Sequence, residues 1–274
     1  MNLNSLYKFQ QDLPETDKMP VLFLGHGSPM NAIEENEFVS QFRKRGKELR
    51  KPKAILCISA HWETRGTKVT AMNHPRTIHD FGGFPQALFD VEYPAPGSPQ
   101  LAAETIKLIT KAPVEADDHW GLDHGAWSVI KHMYPNADIP VVQLSLDYTK
   151  PVKYHYELAQ QLAGLRNKGV LIIGSGNVVH NLRKVAWQQL NEPFGWDWAM
   201  EANDKIRSLI LNGDHKSLID YSNLGRSLQL SIPTPEHYLP LLYALALQGK
   251  NEEAELFNDT TVGGSISMLS LQIA

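Results

Sequence analysis

The chain has 274 residues, of which 42% are hydrophobic and 20% are charged, a composition typical of a folded globular protein rather than a disordered or fibrous one. Its formal net charge of −4 at pH 7 argues against nucleic acid as a partner, since nucleic-acid binding favours a clustered basic surface. No apolar stretch approaches the roughly 20 residues that cross a bilayer, and the N-terminus has no apolar signal core, so we expect a cytoplasmic protein with no membrane partner.

Four short apolar runs, each bounded by turn residues, predict buried β-strands. Continuous rather than alternating hydrophobicity is typical of strands that are covered on both faces, as in a parallel sheet between helices. The single cysteine, Cys57, lies inside the second run and is predicted to be a small buried hydrophobe; without a disulfide partner it suits a reducing compartment. The runs are residues 21–24, 54–59, 141–146 and 170–173.

Helices are predicted between and after these strands. Apolar positions repeat at helical spacing over residues 101–109, over residues 158–165 before Gly169, and over residues 239–247 before Gly249. The alternation of strands and helices predicts a single α/β domain, a sandwich with a mostly parallel central sheet flanked by helices.

The C-terminal segment, residues 262–273, is predicted to form a final strand, because its apolar residues continue almost to the end of the chain. Nothing in the sequence specifies an oligomeric state.

Histidines follow three of the predicted strands. His26 comes directly after the first run, His61 after the second and His180 after the last. The carboxyl ends of parallel strands share one edge of the sheet, where ligands bind, so three imidazoles are expected to meet there. One such histidine alone is readily explained as a hydrogen-bonded loop residue, but three at equivalent positions favour a metal, since buried imidazoles need partners.

Two further histidines lie in unusual surroundings. His124 follows Asp123 in a segment rich in glycine and tryptophan, and is either a proton-transfer group or simply a neighbour of a helix-capping Asp123. In the second segment Thr234 is predicted to cap a helix, which puts Glu236 and His237 in its opening turn, where either can bind metal.

Motifs of other enzyme classes are absent from the sequence, including HExxH, GxSxG, GxGxxG and the Walker loop. Ser28 and Ser175 lie among glycines but lack the sequence context of an activated nucleophile. We therefore predict that both serines are turn residues.

Seven sequence motifs resemble those of the 4,5-DOPA extradiol dioxygenases, members of the class III extradiol superfamily that includes protocatechuate 4,5-dioxygenase. They keep their order from about residue 20 to the C-terminus, whereas the first twenty residues lie outside the resemblance. Each motif is weak alone, but seven in order are specific. The motifs are LGHGSPM, SAHWETRGTKVT, TIHDFGGFP, YPAPGSP, WGLDHGAW, SGNVVHNL and SIPTPEHYLPLLYAL.

The resemblance implies one catalytic domain over residues 20–274, preceded by an N-terminal extension of residues 1–19. It also implies a non-haem metal, with a small-molecule catechol and O2 as the reaction partners. Fe(II) is the metal expected for activity, because Zn(II), which can occupy the same histidines, has no redox chemistry.

The matching positions imply His26 and His61 as metal ligands, with a third ligand from the TPEHY segment. That third ligand is a carboxylate in the wider superfamily; here we favour His237 and keep Glu236 open.

The remaining two active-site histidines match acid–base positions of the superfamily. His180 corresponds to its acid–base histidine and is also a candidate fourth metal ligand when substrate is absent. His124 corresponds to a second active-site histidine that orients or protonates the substrate.

Substrate contacts are expected from the TIHDFGGFP loop. His79 and Phe84 are candidates for lining the catechol pocket, whereas Asp80 is predicted to be a turn residue that binds the backbone. An amino-acid carboxylate on the substrate would require a cation, for which Arg76 and Arg183 are the candidates.

Two other functions fit the same histidines. The first is a zinc-dependent hydrolase on this scaffold, with His124 or His180 as the base. The second is a non-catalytic metal-binding protein, whose site would be closed by four protein ligands.

Overall fold

Residues 15–190 and 192–274 are described here by a computed structural model, and twelve β-strands run through this part of the chain. Six of them form the central sheet and the others form three short pairs. In chain order the strands are β1 (Val21–Gly25), β2 (Ala54–Ser59), β3 (Glu63–Thr64), β4 (Thr67–Thr70), β5 (Val114–Asp117), β6 (Val141–Gln143), β7 (Leu146–Asp147), β8 (Val170–Gly176), β9 (Ala254–Phe257), β10 (Thr261–Val262), β11 (Ile266–Ser267) and β12 (Ser270–Ile273).

The central sheet has the strand order β6-β2-β8-β1-β12-β9. Its first four strands are the four predicted apolar runs, and they lie side by side and parallel. β12 pairs antiparallel with β1, and β9 antiparallel with β12, so the sheet is mixed at one side only. The prediction of an α/β fold with a mostly parallel central sheet is confirmed.

Helices cover both faces of this sheet. Several begin at a polar side chain that accepts from a free backbone N–H, as Asn36, Ser98 and Asp123 do. The α-helices are α1 (Glu37–Glu48), α2 (Gln86–Phe89), α3 (Pro99–Leu108), α4 (His124–Met133), α5 (Val152–Ala159), α6 (Asp197–Leu211), α7 (His215–Ile219), α8 (Arg226–Ser231) and α9 (Leu239–Leu245), and the 3-10 segments are Pro29–Ala32, Gln160–Lys168, Leu182–Lys184, Trp187–Gln189 and Tyr221–Asn223.

Alternate residues of each parallel strand enter two different cores. In β1, Val21 and Phe23 face a core that includes helices α5, α6 and α9, whereas Leu22 and Leu24 face a core built with α1 and α4. Cys57 belongs to the second core and is fully buried, as predicted. Two-sided burial explains why these strands are continuously apolar and why their hydrogen-bonding register is tightly specified.

Three local predictions are wrong in detail. The run at residues 141–146 is divided between β6 and β7, and β7 leaves the central sheet to pair with β3. Residues 262–273 form a β10–β11 hairpin before β12, because Gly263 and Gly264 adopt positive φ values of 55° and 83° and turn the chain.

The helix predicted from Thr234 begins later, at Leu239. Thr234 does not cap it, since its hydroxyl donates to Glu236 Oε1 at 2.9 Å. Glu236 and His237 therefore lie in the turn that precedes α9.

The N-terminal extension predicted for residues 1–19 falls mostly outside the described residues. Its last residues lie against the domain, where Met19 is buried and its N–H donates to Arg166 O at 2.9 Å. Among residues 15–190 and 192–274, none of the helices has the length and apolar character that a bilayer span requires.

Candidate metal centre

The carboxyl ends of β1, β2 and β8 lie level with one another at one edge of the sheet. Gly25 of β1 pairs with Gly176 of β8, and Ser59 of β2 pairs with Ser175 of β8. His26 is the first residue beyond β1, and His61 is the second beyond β2. Parallel pairing in this register therefore brings two imidazoles from distant parts of the sequence to the same point, as the strand pattern predicts.

The turn before α9 brings a third imidazole to that point. His26 Nε2 lies 3.2 Å from His61 Nε2, and the His237 ring centroid lies 5.4 Å from that of His26 and 5.0 Å from that of His61. One nitrogen of each ring lies within 4.8 Å of the other two. Two nitrogens about 3 Å apart are what two imidazoles bound to one metal ion at roughly 2.1 Å require.

The tautomer of His26 follows from its neighbours. Ser175 Oγ donates its only proton to Gly125 O at 2.5 Å, since a carbonyl oxygen can only accept. At 3.0 Å from His26 Nδ1, the same oxygen must then accept, so Nδ1 carries the ring proton. His26 Nε2 is left with a bare lone pair facing the other two rings.

At the other two rings, a carboxylate oxygen rather than a serine hydroxyl lies next to Nδ1. His237 Nδ1 lies 3.1 Å from Glu236 Oε1, and His61 Nδ1 lies 3.3 Å from Asp80 Oδ2. Both contacts favour a proton on Nδ1, which leaves Nε2 of each ring as the ligand atom. The donor set, with three converging lone pairs and no proton between them, fits a divalent metal ion.

The electrostatics of the site keep these rings neutral, which a metal ligand requires. Burial and the neighbouring histidines hold the pKa of His26 and of His237 well below the ordinary value. Burial and His124 lower the pKa of His61 to about 3, although Asp80 opposes the shift. At neutral pH protons therefore compete little with a metal for these three rings.

His124 lies beside the trio but is not part of it. Its Nδ1 is 3.0 Å from Asp80 Oδ1, at an angle too bent for a ring hydrogen bond, and its backbone N–H donates to the same oxygen at 2.9 Å. Burial raises the pKa of Asp80, but the contacts with His124 and His61 outweigh burial and hold it below the ordinary value. An ionised Asp80 thus joins a candidate ligand, His61, to a candidate proton-transfer group, His124.

His180 lies against one member of the trio, His237. Its ring stacks on that of His237, with centroids 3.5 Å apart and planes 10° from parallel. It shares a potential ligand cluster with Glu236 and His237 but not with His26 and His61. Burial and His124 lower the pKa of His180 to about 4, so it is neutral at pH 7. This placement favours the acid–base assignment over the predicted alternative of a fourth ligand.

A second buried layer supports the ligands. Asp123 caps α4 by accepting from Ala126 N at 3.1 Å, and it also accepts from Ser59 Oγ at 2.6 Å and Gln143 Nε2 at 2.7 Å. Behind this network, a Cβ on Gly125 would lie 2.5 Å from Ser59 Oγ and 2.8 Å from the His61 ring. Asp123 therefore has the capping role predicted for it, and His124 lies next to the His61 ring.

The histidines open into one cavity of about 450 Å³, within the size range of small-molecule sites. His26, His61, His124, His180 and His237 all line it. The remaining wall is mainly apolar and is formed largely by Pro29, Phe81, Phe84, Leu182, Trp187, Leu190 and Ile266.

Of the two residues predicted to contact the substrate, only one lines the cavity. Phe84 lines the cavity, whereas His79 does not, because its ring packs against Phe81 and Trp127 and its Nε2 lies 2.9 Å from Val91 O. His79 therefore supports the aromatic wall from behind and does not face the cavity.

Three residues of the site were missed or underrated from the sequence. Asp80 is more than the predicted turn residue, since it contacts two histidine rings. Ser175 ends a strand and fixes the tautomer of His26 instead of forming a turn. Trp187, 59% exposed, lines the cavity but belongs to none of the seven motifs, so no signal in the sequence identified it.

Comparison with known families agrees with this geometry. The model of the catalytic LigB subunit of aromatic ring-opening dioxygenases matches residues 20–269. The chain belongs to the LigB family. It is therefore a ring-cleaving dioxygenase, an oxidoreductase that uses O2, and the family resemblance inferred from the seven motifs is confirmed.

Individual LigB-type relatives match nearly the whole chain. A protein of Escherichia coli K12 named 4,5-DOPA dioxygenase extradiol is 50% identical over 260 residues, 93% of this chain and 95% of its own. A protein of the same name from Beta vulgaris is 39% identical and covers 89% of this chain and 92% of its own. A crystal structure of an uncharacterized E. coli K12 protein matches with a TM-score of 0.82 and 43% identity, covering 94% of this chain and 100% of that one.

Proposed function

We propose that this LigB-family enzyme is a non-haem Fe(II)-dependent extradiol dioxygenase that opens the ring of a catechol. The observation that carries the proposal is the convergence of the ring nitrogens of His26, His61 and His237, with Nδ1 of each ring next to an acceptor. A metal ion held by these three histidines would keep further positions for a substrate.

His26, His61 and His237 are the proposed metal ligands, with Glu236 as the hydrogen-bond partner of His237. The choice of His237 over Glu236 rests on its place in the trio, since Glu236 lies beside His237 Nδ1, on the side of the ring away from Nε2. Fe(II) supplies the redox chemistry for O2 and binding positions for both catechol oxygens. Zn(II) fits the same nitrogens but cannot supply that chemistry.

His180 and His124 are the proposed proton-transfer groups. His180 is neutral at pH 7, with a pKa of about 4, and so can accept a proton from a catechol hydroxyl in the cavity. His124 has Asp80 next to Nδ1, which stabilises a proton there and leaves Nε2 to bind a substrate oxygen. The His180 ring lies beside His237, and the His124 ring lies beside His61.

A catechol suits the shape and polarity of the cavity. Two adjacent hydroxyl groups match a cluster of imidazoles at its base, and a planar ring matches the aromatic side chains Phe81, Phe84 and Trp187 on its walls. Because relatives named 4,5-DOPA dioxygenase extradiol share up to 50% of this sequence, DOPA is the first catechol to test.

The two other functions considered from the sequence lose their support. A zinc-dependent hydrolase does not agree with membership of a dioxygenase family. A non-catalytic metal-binding protein would use four closing ligands, whereas three histidines converge here and border a cavity. The cytoplasmic location expected from the sequence stays a prediction.

The test is reconstitution of metal-free protein with one equivalent of Fe(II) without oxygen, followed by DOPA, dopamine or 4-methylcatechol and air. We expect O2 uptake equal to catechol consumed and a ring-opened product that carries two oxygen atoms from labelled O2. Zinc-loaded protein is the matched control and should consume no O2. Absence of O2 uptake with every catechol in Fe(II)-loaded protein would refute the proposal.

A further inference from the structure

A second, smaller pocket of about 240 Å³ adjoins the ring cavity. The two spaces share His180 and Leu182 as lining residues. The smaller pocket is more polar than the ring cavity, and Arg183, Thr234 and Glu236 line it. A molecule whose ring occupies the cavity could therefore place a polar substituent in the adjoining pocket.

The two charges in this pocket are opposite in sign and do not neutralise each other. Arg183 and Glu236 both line it, yet no ion pair joins these two described residues, and Glu236 is paired instead with His237. Only Oε1 of Glu236 is engaged, accepting from Thr234 Oγ1 at 2.9 Å and from His237 Nδ1 at 3.1 Å. Its Oε2 has no hydrogen-bond partner among the described residues. A guanidinium and a carboxylate oxygen thus remain available to a ligand.

The ring cavity itself offers no comparable partner for an anion. None of the described residues that line it is lysine or arginine, and its one carboxylate, Asp80, is committed to His61 and His124. Arg76, the other arginine considered from the sequence, lines neither space and donates its Nε–H to Trp120 O at 3.3 Å. For a carboxylate attached to the substrate ring, the cationic side chain available is therefore Arg183 in the adjoining pocket.

We propose that the pocket of Arg183 and Glu236 is a binding site for a zwitterionic α-amino-acid head group on the catechol. Arg183 pairs with the head-group carboxylate and Glu236 Oε2 with its ammonium group, while the ring lies in the apolar cavity. A planar guanidinium matches a carboxylate in two parallel hydrogen bonds, which is why arginine suits this recognition. The inference rests on the proposed catechol function and makes Arg183 a specificity-determining residue for it.

Four catechols that differ only in the charges of their side chain test the site. 4-Methylcatechol carries neither charge, dopamine only the ammonium, 3-(3,4-dihydroxyphenyl)propionate only the carboxylate, and DOPA both. For Fe(II)-loaded wild-type enzyme we expect the lowest KM with DOPA. Dissociation constants measured by calorimetry without oxygen should follow the same order, which separates binding from turnover.

The R183Q substitution should weaken the binding only of those compounds that carry a carboxylate. Because Arg183 is exposed, we expect the KM and Kd of DOPA, relative to those of 4-methylcatechol, to rise about 5-fold, the limit for an exposed ion pair. R183E should go further and make dopamine the better substrate. R76Q removes another exposed arginine, which lies outside both spaces, and should leave every ratio at the wild-type value.

Two results would overturn the head-group site. One is an unchanged ratio of DOPA to 4-methylcatechol in R183Q and R183E, and the other is a shift of that ratio in R76Q instead. In either case the ring of 4-methylcatechol would still be cleaved, so the catechol function would stand. Failure of wild-type enzyme to cleave all four compounds would instead refute the catechol function.

Discussion

Ser175 Oγ lies 3.0 Å from His26 Nδ1, across 149 residues of sequence, and holds the ring proton of His26 on the nitrogen that faces away from the metal site. The serine can only accept from this ring because its own proton goes to Gly125 O. One hydroxyl at the end of β8 therefore decides which nitrogen of a candidate ligand is free. His61 and His237 have carboxylate partners in the same position, so His26 is the one ligand with a neutral partner.

Removal of this hydroxyl should weaken metal binding without unfolding the protein. We expect S175A to raise the Kd for Fe(II) about 10-fold to 100-fold, the usual cost of losing the hydrogen-bond partner of a metal-bound histidine. S128A is the matched control, since Ser128 is equally buried but its hydroxyl has no hydrogen-bond partner. Competition with a chromophoric chelator under nitrogen measures both constants. Equal Kd values for S175A and S128A would show that Ser175 does not position His26.

Substitutions of the adjacent residues Glu236 and His237 test which of them is the third metal ligand. H237A should abolish stoichiometric Fe(II) binding, because it removes one of three converging nitrogens. E236Q should retain one metal ion per chain with a Kd raised about 10-fold, because only the hydrogen-bond partner of His237 changes. Metal content after gel filtration provides the measurement. Loss of metal from E236Q together with full metal in H237A would reverse the assignment.

The proposed role of His180 predicts loss of rate with the metal retained. H180Q keeps a planar polar side chain, so stacking on His237 should be maintained while proton acceptance is lost. We expect kcat to fall at least about 100-fold, the lower range for general acid–base catalysis, with one Fe(II) still bound per chain. Rapid-mixing kinetics and metal analysis of the same sample test both expectations. A proportional loss of metal would instead identify His180 as a ligand.

Replacement of Gly125, which lies beside the candidate ligand His61, by alanine should destabilise the protein. Alanine normally stabilises a helix relative to glycine, but a Cβ on Gly125 would lie 2.8 Å from the His61 ring and 2.5 Å from Ser59 Oγ. G125A should lower the free energy of unfolding by about 1–3 kcal/mol, as overpacking does, and weaken metal binding by displacing His61. Urea denaturation and metal titration measure the two effects.

The control for this substitution is G164A in the 3-10 segment Gln160–Lys168. No atom lies within 4 Å of a Cβ built on Gly164, so this change should be neutral or stabilise the protein by up to about 1 kcal/mol. Equal stability of G125A and G164A would contradict the close packing at His61.

The lowered histidine pKa values predict that the metal-free protein loses stability in mild acid. In the unfolded chain histidines take up protons near pH 6.5, whereas in the folded protein His180 does so at about pH 4 and His61 at about pH 3. Between these limits the unfolded state binds more protons, so the free energy of unfolding falls as pH falls. Each such histidine contributes at most about 1.4 kcal/mol per pH unit in this window.

Thermal unfolding of metal-free protein between pH 7 and pH 5 provides the measurement. The melting temperature should decrease steadily, and H180Q should reduce the slope, because one proton fewer is taken up on unfolding. A melting temperature that stays constant or rises as pH falls through this range would contradict the prediction.

The fold was largely predictable because its signals are local. Burial on both faces leaves continuous apolar runs, and each of the four predicted runs supplies one of four neighbouring parallel strands, although the third run continues into β7 outside the sheet. The predictions that failed concern short segments whose local sequence is compatible with two different structures. Gly263 and Gly264 turned one predicted strand into a hairpin, and Thr234 bonded to Glu236 instead of capping a helix.

The candidate site was predictable in its residue types but not in its arrangement. His26 and His61 could be placed beforehand, since the ends of parallel strands share an edge. His79 lies in a similar motif, yet its ring turns away to bond Val91 O, and Asp80 beside it carries the contacts to the histidines. Nothing in the local sequence distinguishes these two neighbours.

The sequence by itself determined the α/β class, the family and the strand-end histidines, because hydrophobic periodicity and motif order are properties of the linear chain. Only the tertiary structure decided that His237 joins His26 and His61, that Glu236 lies behind it, and which nitrogen of each ring is free. The physical reason is that a tautomer is set by the hydrogen-bond partner of the ring. For His26 that partner is separated by 149 residues and is brought into contact only by strand pairing.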